Sequence, residues 1–461
     1  MLAVSERAVP FDLSEPCHVH VVGAAGAGMS AIAAVLKGMG HTVSGSDLKG
    51  GPALDRLRSL GIEVQVGHSS DNVGDAAVVT FSTAVPSGNP ELELARAHAR
   101  PVLRRAEMLA SICAVRRTIA VAGTHGKTTT STMLALTLVE GGLRPAYIIG
   151  GEVNEIGAGA VWSDGEWLVV EADESDGTFL ELGAEVAVVT SVEPDHLGHY
   201  GSFDALVDSF GRFIGAARLG VVCADDETAV ALARQHGGVT YGTDAGADYR
   251  MTDIERGRSS SAFTLVRRGR EFGRVSLPAP GLYNARNAAA ALATAMEVGV
   301  DFASAARALA RYTGVARRFQ FRGEWEGATL VEDYAHLPTE VASALQAAVD
   351  GDWPRIVCVF QPHRYTRTAD LWRDFAGVFE GADIVVLTDI YSAGEPPMPG
   401  VTGRLIYDAV TEHDRDREVV WIPSRPEVAP TLRTILRDGD LCLLLGAGDL
   451  TSIPGELAGE A

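Results

Sequence analysis

The segment GTHGKTTT sets Gly123, Gly126 and Lys127 between the apolar run TIAVA and the helically spaced run TTTSTMLALTLVE. Glycines at a strand-to-helix turn let backbone N–H groups converge on an anion, and the helix N-terminus adds favourable partial charge. In that setting Lys127 reaches the terminal phosphates of a nucleotide, and the Thr128 hydroxyl supplies an oxygen to Mg²⁺. Gly123, Thr124, His125, Gly126, Lys127, Thr128 and Thr129 are the candidate phosphate-binding residues. The usual phosphate loop has four residues between its glycines, whereas this one has two. It is a shortened phosphate loop, or a strand that runs into a helix by chance.

A magnesium ion needs more oxygens than one threonine provides, since it takes octahedral coordination and keeps several waters. Glu171 ends the apolar run WLVV, with Asp173, Glu174 and Asp176 behind it. His196 stands in EPDH beside Glu193 and Asp195. A solvated acidic turn is the bland alternative for such residues.

A second glycine cluster, VVGAAGAGMS, places Gly23, Gly26 and Gly28 between a strand and a helix. Its order is GxxGxG, not the dinucleotide fingerprint GxGxxG, and Asp47 falls about where a ribose-binding acid would sit. This pattern fits a nucleotide or its pyrophosphate on a helix N-terminus. Glycines needed only for tight strand–helix packing are the alternative. Further along, Arg364 and Arg367 in HRYTR lie on one side of a turn or helix start. Arginine forks match carboxylates in bidentate fashion, at about 1.5–3 kcal/mol per charged hydrogen bond. The alternative is a surface salt-bridge face.

The elements that must carry these residues are legible in the rhythm of the chain. Short β-branched runs alternate with Ala/Leu-rich helical stretches, which predicts parallel sheets covered by helices. Five apolar runs lead into EADESD, EPDHLGHY, EDYAH, QPHRYTR and DIYSAGE. Ligands of open parallel sheets bind beyond the carboxyl ends of the strands, so these ends are read as site walls. The 461 residues divide into three blocks, 1–112, 113–315 and 316–461. The expected class is α/β: an N-terminal Rossmann-like domain, a central P-loop ATPase with a mostly parallel sheet, and a C-terminal Rossmann-like domain.

A net charge of −21 argues against nucleic acid as a partner. The five cysteines are far apart, without metal or disulfide spacing, and read as free thiols of a reducing compartment. No signal peptide and no bilayer-spanning run is seen, so no membrane insertion and a cytoplasmic location are expected.

GTHGKTTT, EADESD, EPDH, GLYNARNAAAA, RRFQ, EDYAH, QPHRYTRT and GAGD occur in that order between Gly123 and Asp449, and the likeness they carry extends back to Gly23. In this the chain resembles the Mur ligases over nearly its whole length. The resemblance implies a UDP-sugar domain, an ATPase and a C-terminal domain that closes over the site. It implies that ATP phosphorylates the lactoyl carboxylate of UDP-N-acetylmuramate and that L-alanine attacks the acyl phosphate. The residues then take roles by resemblance. Gly23, Gly26, Gly28, Met29, Ser30 and Asp47 bind the UDP-sugar. Asn284, Asn287 and Arg317 join the phosphate loop in binding ATP. Thr128, Glu171 and His196 hold Mg²⁺. Tyr334, His336, His363, Arg364 and Arg367 surround the amino acid. The catalytic group is Lys127, His196, His336, Arg364 and Arg367. The protein is expected as a monomer or homodimer.

Several positions depart from the family pattern: Ser191, Gly198, Tyr283, Glu332 and Leu337, with Ala24 and Ala25 thinning the first glycine loop. They bear on the adenine pocket and on the surroundings of His336. Other readings remain open at this stage: a ligase that attaches a whole tripeptide to the same sugar, a nicotinamide-dependent oxidoreductase, and a non-catalytic nucleotide sensor.

Overall fold

Runs such as TIAVA and VAVV cannot satisfy their backbone alone, and buried on both faces they pair as parallel strands. The computed structural model describes residues 9–150 and 159–459. The outer ends of the first and last expected blocks, 1–8 and 460–461, lie outside the described residues, as does 151–158 of the middle block. Two compact units form. One comprises Met1–Thr252, Leu265–Gly273 and Arg286–Leu309; the other comprises Asp253–Thr264, Arg274–Ala285 and Ala310–Ala461.

The first unit contains a five-stranded parallel sheet in the order Glu63–Val66, Thr42–Asp47, His18–Val22, Val78–Phe81, Val102–Arg104. The strand order reverses beside His18–Val22, so the following Gly23 loop sits at a topological switch point. A larger sheet has Arg117–Ala122 between Val186–Val189 and Trp167–Glu171, all three parallel and all in this unit. Leu219–Cys223 and Val239–Gly242 extend one side, and Ala146–Ile148 the other. Ala160–Val161 pairs antiparallel with Ala146–Ile148 at that edge. Three adjacent carboxyl ends therefore deliver Gly123–Thr128, Glu171–Asp176 and Thr190–His196 to one rim.

The second unit contains a six-stranded sheet in the order Gln320–Trp325, Ala328–Asp333, Asp440–Leu445, Arg355–Phe360, Ile384–Thr388, Glu418–Ile422. It is parallel except for Gln320–Trp325. Its central strands are apolar on both faces and build cores around Phe360, Phe375 and Phe379 on one side and Leu432, Leu444 and Ile453 on the other. The α/β, mostly parallel architecture matches the expectation. All five cysteines are free thiols, four of them buried. Among the described residues no helix is long and apolar enough to cross a membrane.

Candidate active site

The candidate phosphate loop leaves Arg117–Ala122 through Gly123 at φ +134° and enters the helix Lys127–Glu140 through Gly126 at φ +77°. Both glycines are required by space as well as conformation. A Cβ on Gly123 would lie 2.1 Å from Thr190 Oγ1, and one on Gly126 would lie 2.4 Å from Asn287 Oδ1. Asn287 also accepts a hydrogen bond from Thr130 at 3.2 Å, so its amide braces the loop from below. Thr124 N–H donates to Ser191 O at 3.1 Å, and His125 N–H to Ser191 Oγ at 3.0 Å. Ser191, a departure from the family pattern, thus still supplies an acceptor to the loop.

Lys127 folds back over this turn. Its ammonium donates to Gly123 O at 2.6 Å, Thr124 O at 3.3 Å and Glu174 Oε1 at 2.7 Å. Burial works against its charge, but Glu174, with Glu171 and Asp173, raises its pKa above the ordinary lysine value. The ammonium is firmly protonated. Glu174 is buried, and its second oxygen, Oε2, has no hydrogen-bond partner.

Thr128 donates to Glu171 Oε1 at 2.9 Å, and Glu171 Oε2 accepts from Gly150 N–H at 2.7 Å. A hydroxyl and a carboxylate side by side at a strand rim are the hard oxygen donors Mg²⁺ prefers. Among the described residues no group of three or more His, Cys, Asp or Glu is arranged to hold a metal. Mg²⁺ binds through one or two carboxylates plus substrate phosphates and water, so the pair Thr128–Glu171 is the part of such a site the protein would supply. The donor chemistry fits the ion. His196 adopts φ +53°, uncommon for a residue with a side chain. Its ring nitrogen Nε2 lies 3.2 Å from Asp195 and its N–H donates to the same carboxylate.

At the first glycine loop, Gly23 has φ +80°, and Gly23 and Ala24 N–H donate to Ser46 O at 2.8 and 2.9 Å. Asp47 accepts from Ala25 N–H at 2.9 Å and from Lys49 N–H at 3.2 Å, so it shapes the loop directly. Gly28 is exposed at the start of the helix Ala27–Gly38, Ser30 bonds back to Ala27 O, and the Met29 side chain is buried in the core. Arg105 passes Gly28, whose Cβ would lie 3.3 Å from Arg105 Nη1, and pairs with Asp173 at 3.8 Å and Asp176 at 4.0 Å. Sequence reasoning missed Arg105 and the link from Glu174 to Lys127. The only signal was the presence of RRAEML after a strand and four acids in EADESD.

In the second unit, Tyr334, His336, His363 and Arg367 come together. His336 meets Tyr334 and His363 edge-on, each with centroids 5.4 Å apart. Arg367 Nη1 donates to His363 Nδ1 at 2.8 Å. Burial, with His336 and Arg367 adding to it, pushes His363 down to about 4, so the ring is a neutral acceptor. Arg364 is exposed, with φ +70°, at the start of the helix Tyr365–Leu371. Asp333, the last residue of its strand, accepts from Phe319 and Ala335 N–H at 2.7 and 2.8 Å. Burial pushes its carboxyl up to about 6 despite Arg318 and these amides.

Arg317 is engaged within the second unit: its guanidinium donates to Glu332 at 2.7 Å and to the carbonyls of Gly446 and Gly448. Glu332 also pairs with Arg322, so the carboxylate at this departing position serves two arginines. Leu337 is buried at the N-cap of Pro338–Val349, where Glu340 accepts from the N–H groups of His336 and Leu337. Asn284 is buried and donates to Pro280 O at 2.8 Å. The Tyr283 hydroxyl is buried without a partner.

Three family models match in succession: "Mur ligase family, catalytic domain" over residues 18–117, "Mur ligase middle domain" over 121–295, and "Mur ligase, glutamate ligase domain" over 317–448. The chain is 44% identical to a UDP-N-acetylmuramate--L-alanine ligase of Bradyrhizobium diazoefficiens, with 95% of this chain and 97% of the relative covered. A protein of the same name from Rhizobium meliloti is 43% identical at the same coverage. Among solved structures, UDP-N-acetylmuramate-alanine ligase MurC from Thermotoga maritima superposes with a TM-score of 0.79 at 29% identity, covering 96% of this chain and 99% of that one. A murein peptide ligase from Psychrobacter arcticus shares the fold, with a TM-score of 0.65 at 22% identity over 96% and 98% of the two chains.

Proposed function

This chain belongs to the Mur ligase family, and from that premise we propose that it is an ATP-dependent ligase joining L-alanine to the lactoyl carboxylate of UDP-N-acetylmuramate in peptidoglycan precursor synthesis. The γ-phosphoryl of ATP passes to the lactoyl carboxylate, and ADP leaves. The neutral amine of alanine then attacks the acyl phosphate. A C–N bond forms, the C–O bond to phosphate breaks, and the amine gives up its proton as phosphate departs.

One observation carries the ATP half of this reading: the pair Thr128–Glu171 beside the protonated ammonium of Lys127, on a glycine turn at a strand rim. Phosphoryl transfer is mostly positioning and charge stabilisation, and a fixed cation, backbone N–H groups and oxygen donors serve both. Lys127 holds the transferred phosphoryl group. Thr128 and Glu171 would hold Mg²⁺, with His196 toward a second ion; when bound, the metal offsets phosphate charge. Gly23, Gly26, Gly28, Met29, Ser30 and Asp47 receive the UDP-sugar. Arg364 and Arg367 grip the alanine carboxylate, with Tyr334, His336 and His363 around it, and Asn284, Asn287 and Arg317 serve ATP.

The choice of L-alanine over a tripeptide follows the two relatives at 43–44% identity named above. A phosphate-release assay with ATP, UDP-N-acetylmuramate and a panel of amino acids tests it. Release is expected with free L-alanine; release with the tripeptide alone would reverse the choice. The same assay without nicotinamide cofactor separates the ligase from an oxidoreductase.

A further inference from the structure

Beneath the first glycine loop lies a carboxylate that the reaction does not use. Glu91, in the first turn of the helix Pro90–Ala97, is fully buried. A buried carboxylate is retained only where donors satisfy it. Here Ser46 Oγ donates at 2.6 Å, Asn72 Nδ2 at 2.7 Å, His68 Nδ1 approaches at 3.1 Å and Ser69 N–H at 3.4 Å. His20, also fully buried, holds its Nε2 3.8 Å away with no hydrogen-bond partner, and its Nδ1 bonds Ser44 at 2.8 Å. These donors come from three strands or the turns after them, and Glu91 ties them to one point.

Two of the donors lead to the ligand side. Ser46 uses its hydroxyl for Glu91 and its carbonyl for the N–H groups of Gly23 and Ala24. His68 follows the strand Glu63–Val66 at the same carboxyl edge as Asp47, to which the intervening Gly67 N–H is bonded at 2.7 Å. With Nδ1 turned toward Glu91, the His68 ring is fixed in orientation and its Nε2 is left for other partners. An apolar core side chain at position 91 would fill the same space, but would leave Ser46, His68 and Asn72 unanchored.

We propose that Glu91 is a positioning residue for UDP-sugar binding: through Ser46 it fixes the Gly23–Gly28 turn, and through His68 it sets a ring beside Asp47. The inference rests on the reading above that this loop receives UDP-N-acetylmuramate. Glu91 does not touch the ligand, so its effect falls on the binding of one substrate and not on the chemical step.

The test is Glu91→Gln, which keeps size but removes the charge and one acceptor. Steady-state kinetics should show KM for UDP-N-acetylmuramate raised about tenfold, kcat within about twofold, and KM for ATP and L-alanine unchanged. Calorimetric titration of UDP-N-acetylmuramate without ATP should show the same loss. Ser46→Ala, a smaller change that guards against misfolding of the first variant, should weaken the same substrate, and the double variant should add little to the larger single effect. A wild-type protein that binds no UDP-N-acetylmuramate would overturn the loop reading and this inference together. Normal wild-type binding with unchanged affinity in both variants, or equal loss for all three substrates, would overturn the inference alone.

Discussion

The Lys127 ammonium lies 2.7 Å from a Glu174 carboxylate that is almost wholly buried. The pair joins the phosphate loop to the rim of the next strand. Removing one partner of such a pair leaves an uncompensated buried charge, at about 3–5 kcal/mol. Lys127→Ala is therefore expected to abolish turnover and also to lower unfolding stability by an amount of that order. Adding Glu174→Gln should recover much of the stability but none of the turnover. Denaturant unfolding beside phosphate release separates the two effects. Unchanged stability in the single variant would show that the pair carries little energy. Binding of UDP-N-acetylmuramate should persist in both variants, because the Gly23 turn belongs to the other sheet of that unit.

Glu171 and Thr128 predict a metal phenotype. Glu171→Gln keeps the hydrogen bond to Thr128 within reach but weakens a hard anionic oxygen donor. The Mg²⁺ concentration for half-maximal activity should rise about tenfold or more, and kcat should fall by roughly 10²-fold. A titration of activity against Mg²⁺ reads both. A variant with wild-type Mg²⁺ demand would remove Glu171 from the ion.

Gly126 meets Asn287 across a long stretch of chain, and a side chain there faces two penalties. The left-handed conformation costs a non-glycine residue roughly 1–2 kcal/mol, and the Cβ would overlap the Asn287 amide at 2.4 Å. Gly126→Ala should raise KM for ATP at least tenfold. Asn287→Ala, which removes both the brace and the Thr130 contact, should raise it less. ATP affinities measured by titration decide this; equal and normal affinities in both variants would exclude the brace.

Asp333 predicts a pH dependence of stability. Its folded pKa of about 6 stands above its ordinary value near 3.8, because burial disfavours the charged form. The folded state therefore holds this proton more tightly than the unfolded state. The associated stability is fully present below about pH 4 and is lost as pH rises through about 6, on the order of 3 kcal/mol by linkage. Denaturant unfolding between pH 4 and 7 should show that slope. Asp333→Asn, whatever its absolute stability, should lack it.

How much of this was readable beforehand depended on whether the constraint was local. The glycine turn before Lys127 was legible because glycine, lysine and threonine are adjacent and each has a backbone or charge reason to be there. The strand ends were legible because apolar runs broke into acids, histidines and arginines. The partner of Lys127 was not, since EADESD offers four acids and only the fold selects Glu174. The Glu91 network was hidden for the same reason: His20, Ser46, His68 and Asn72 converge from separate strands and turns. Sequence also presented Asn287 and Arg317 as ligand residues. Besides the ATP roles proposed for them, their amide and guanidinium brace Gly126 and bind Glu332, contacts that depend on long-range packing.

Arg367 and His363 give the last prediction. Arg367 donates to His363 Nδ1 at 2.8 Å, which orients the fork and requires a neutral imidazole. The low His363 pKa, about 4, keeps that acceptor available across the neutral range. Replacing the arginine removes the charged grip on the alanine carboxylate proposed above, at about 1.5–3 kcal/mol for one charged hydrogen bond. Arg367→Ala should therefore raise KM for L-alanine by roughly ten- to a hundredfold, with KM for UDP-N-acetylmuramate unchanged. Arg367→Lys should recover only part, since an ammonium cannot reproduce the bidentate fork. His363→Gln keeps an acceptor for Arg367 and should cost less than either change, whereas His363→Leu removes it and should approach Arg367→Ala. Initial rates against alanine concentration for the four variants test the order; His363→Leu behaving like wild type would mean that Arg367 is positioned without the ring.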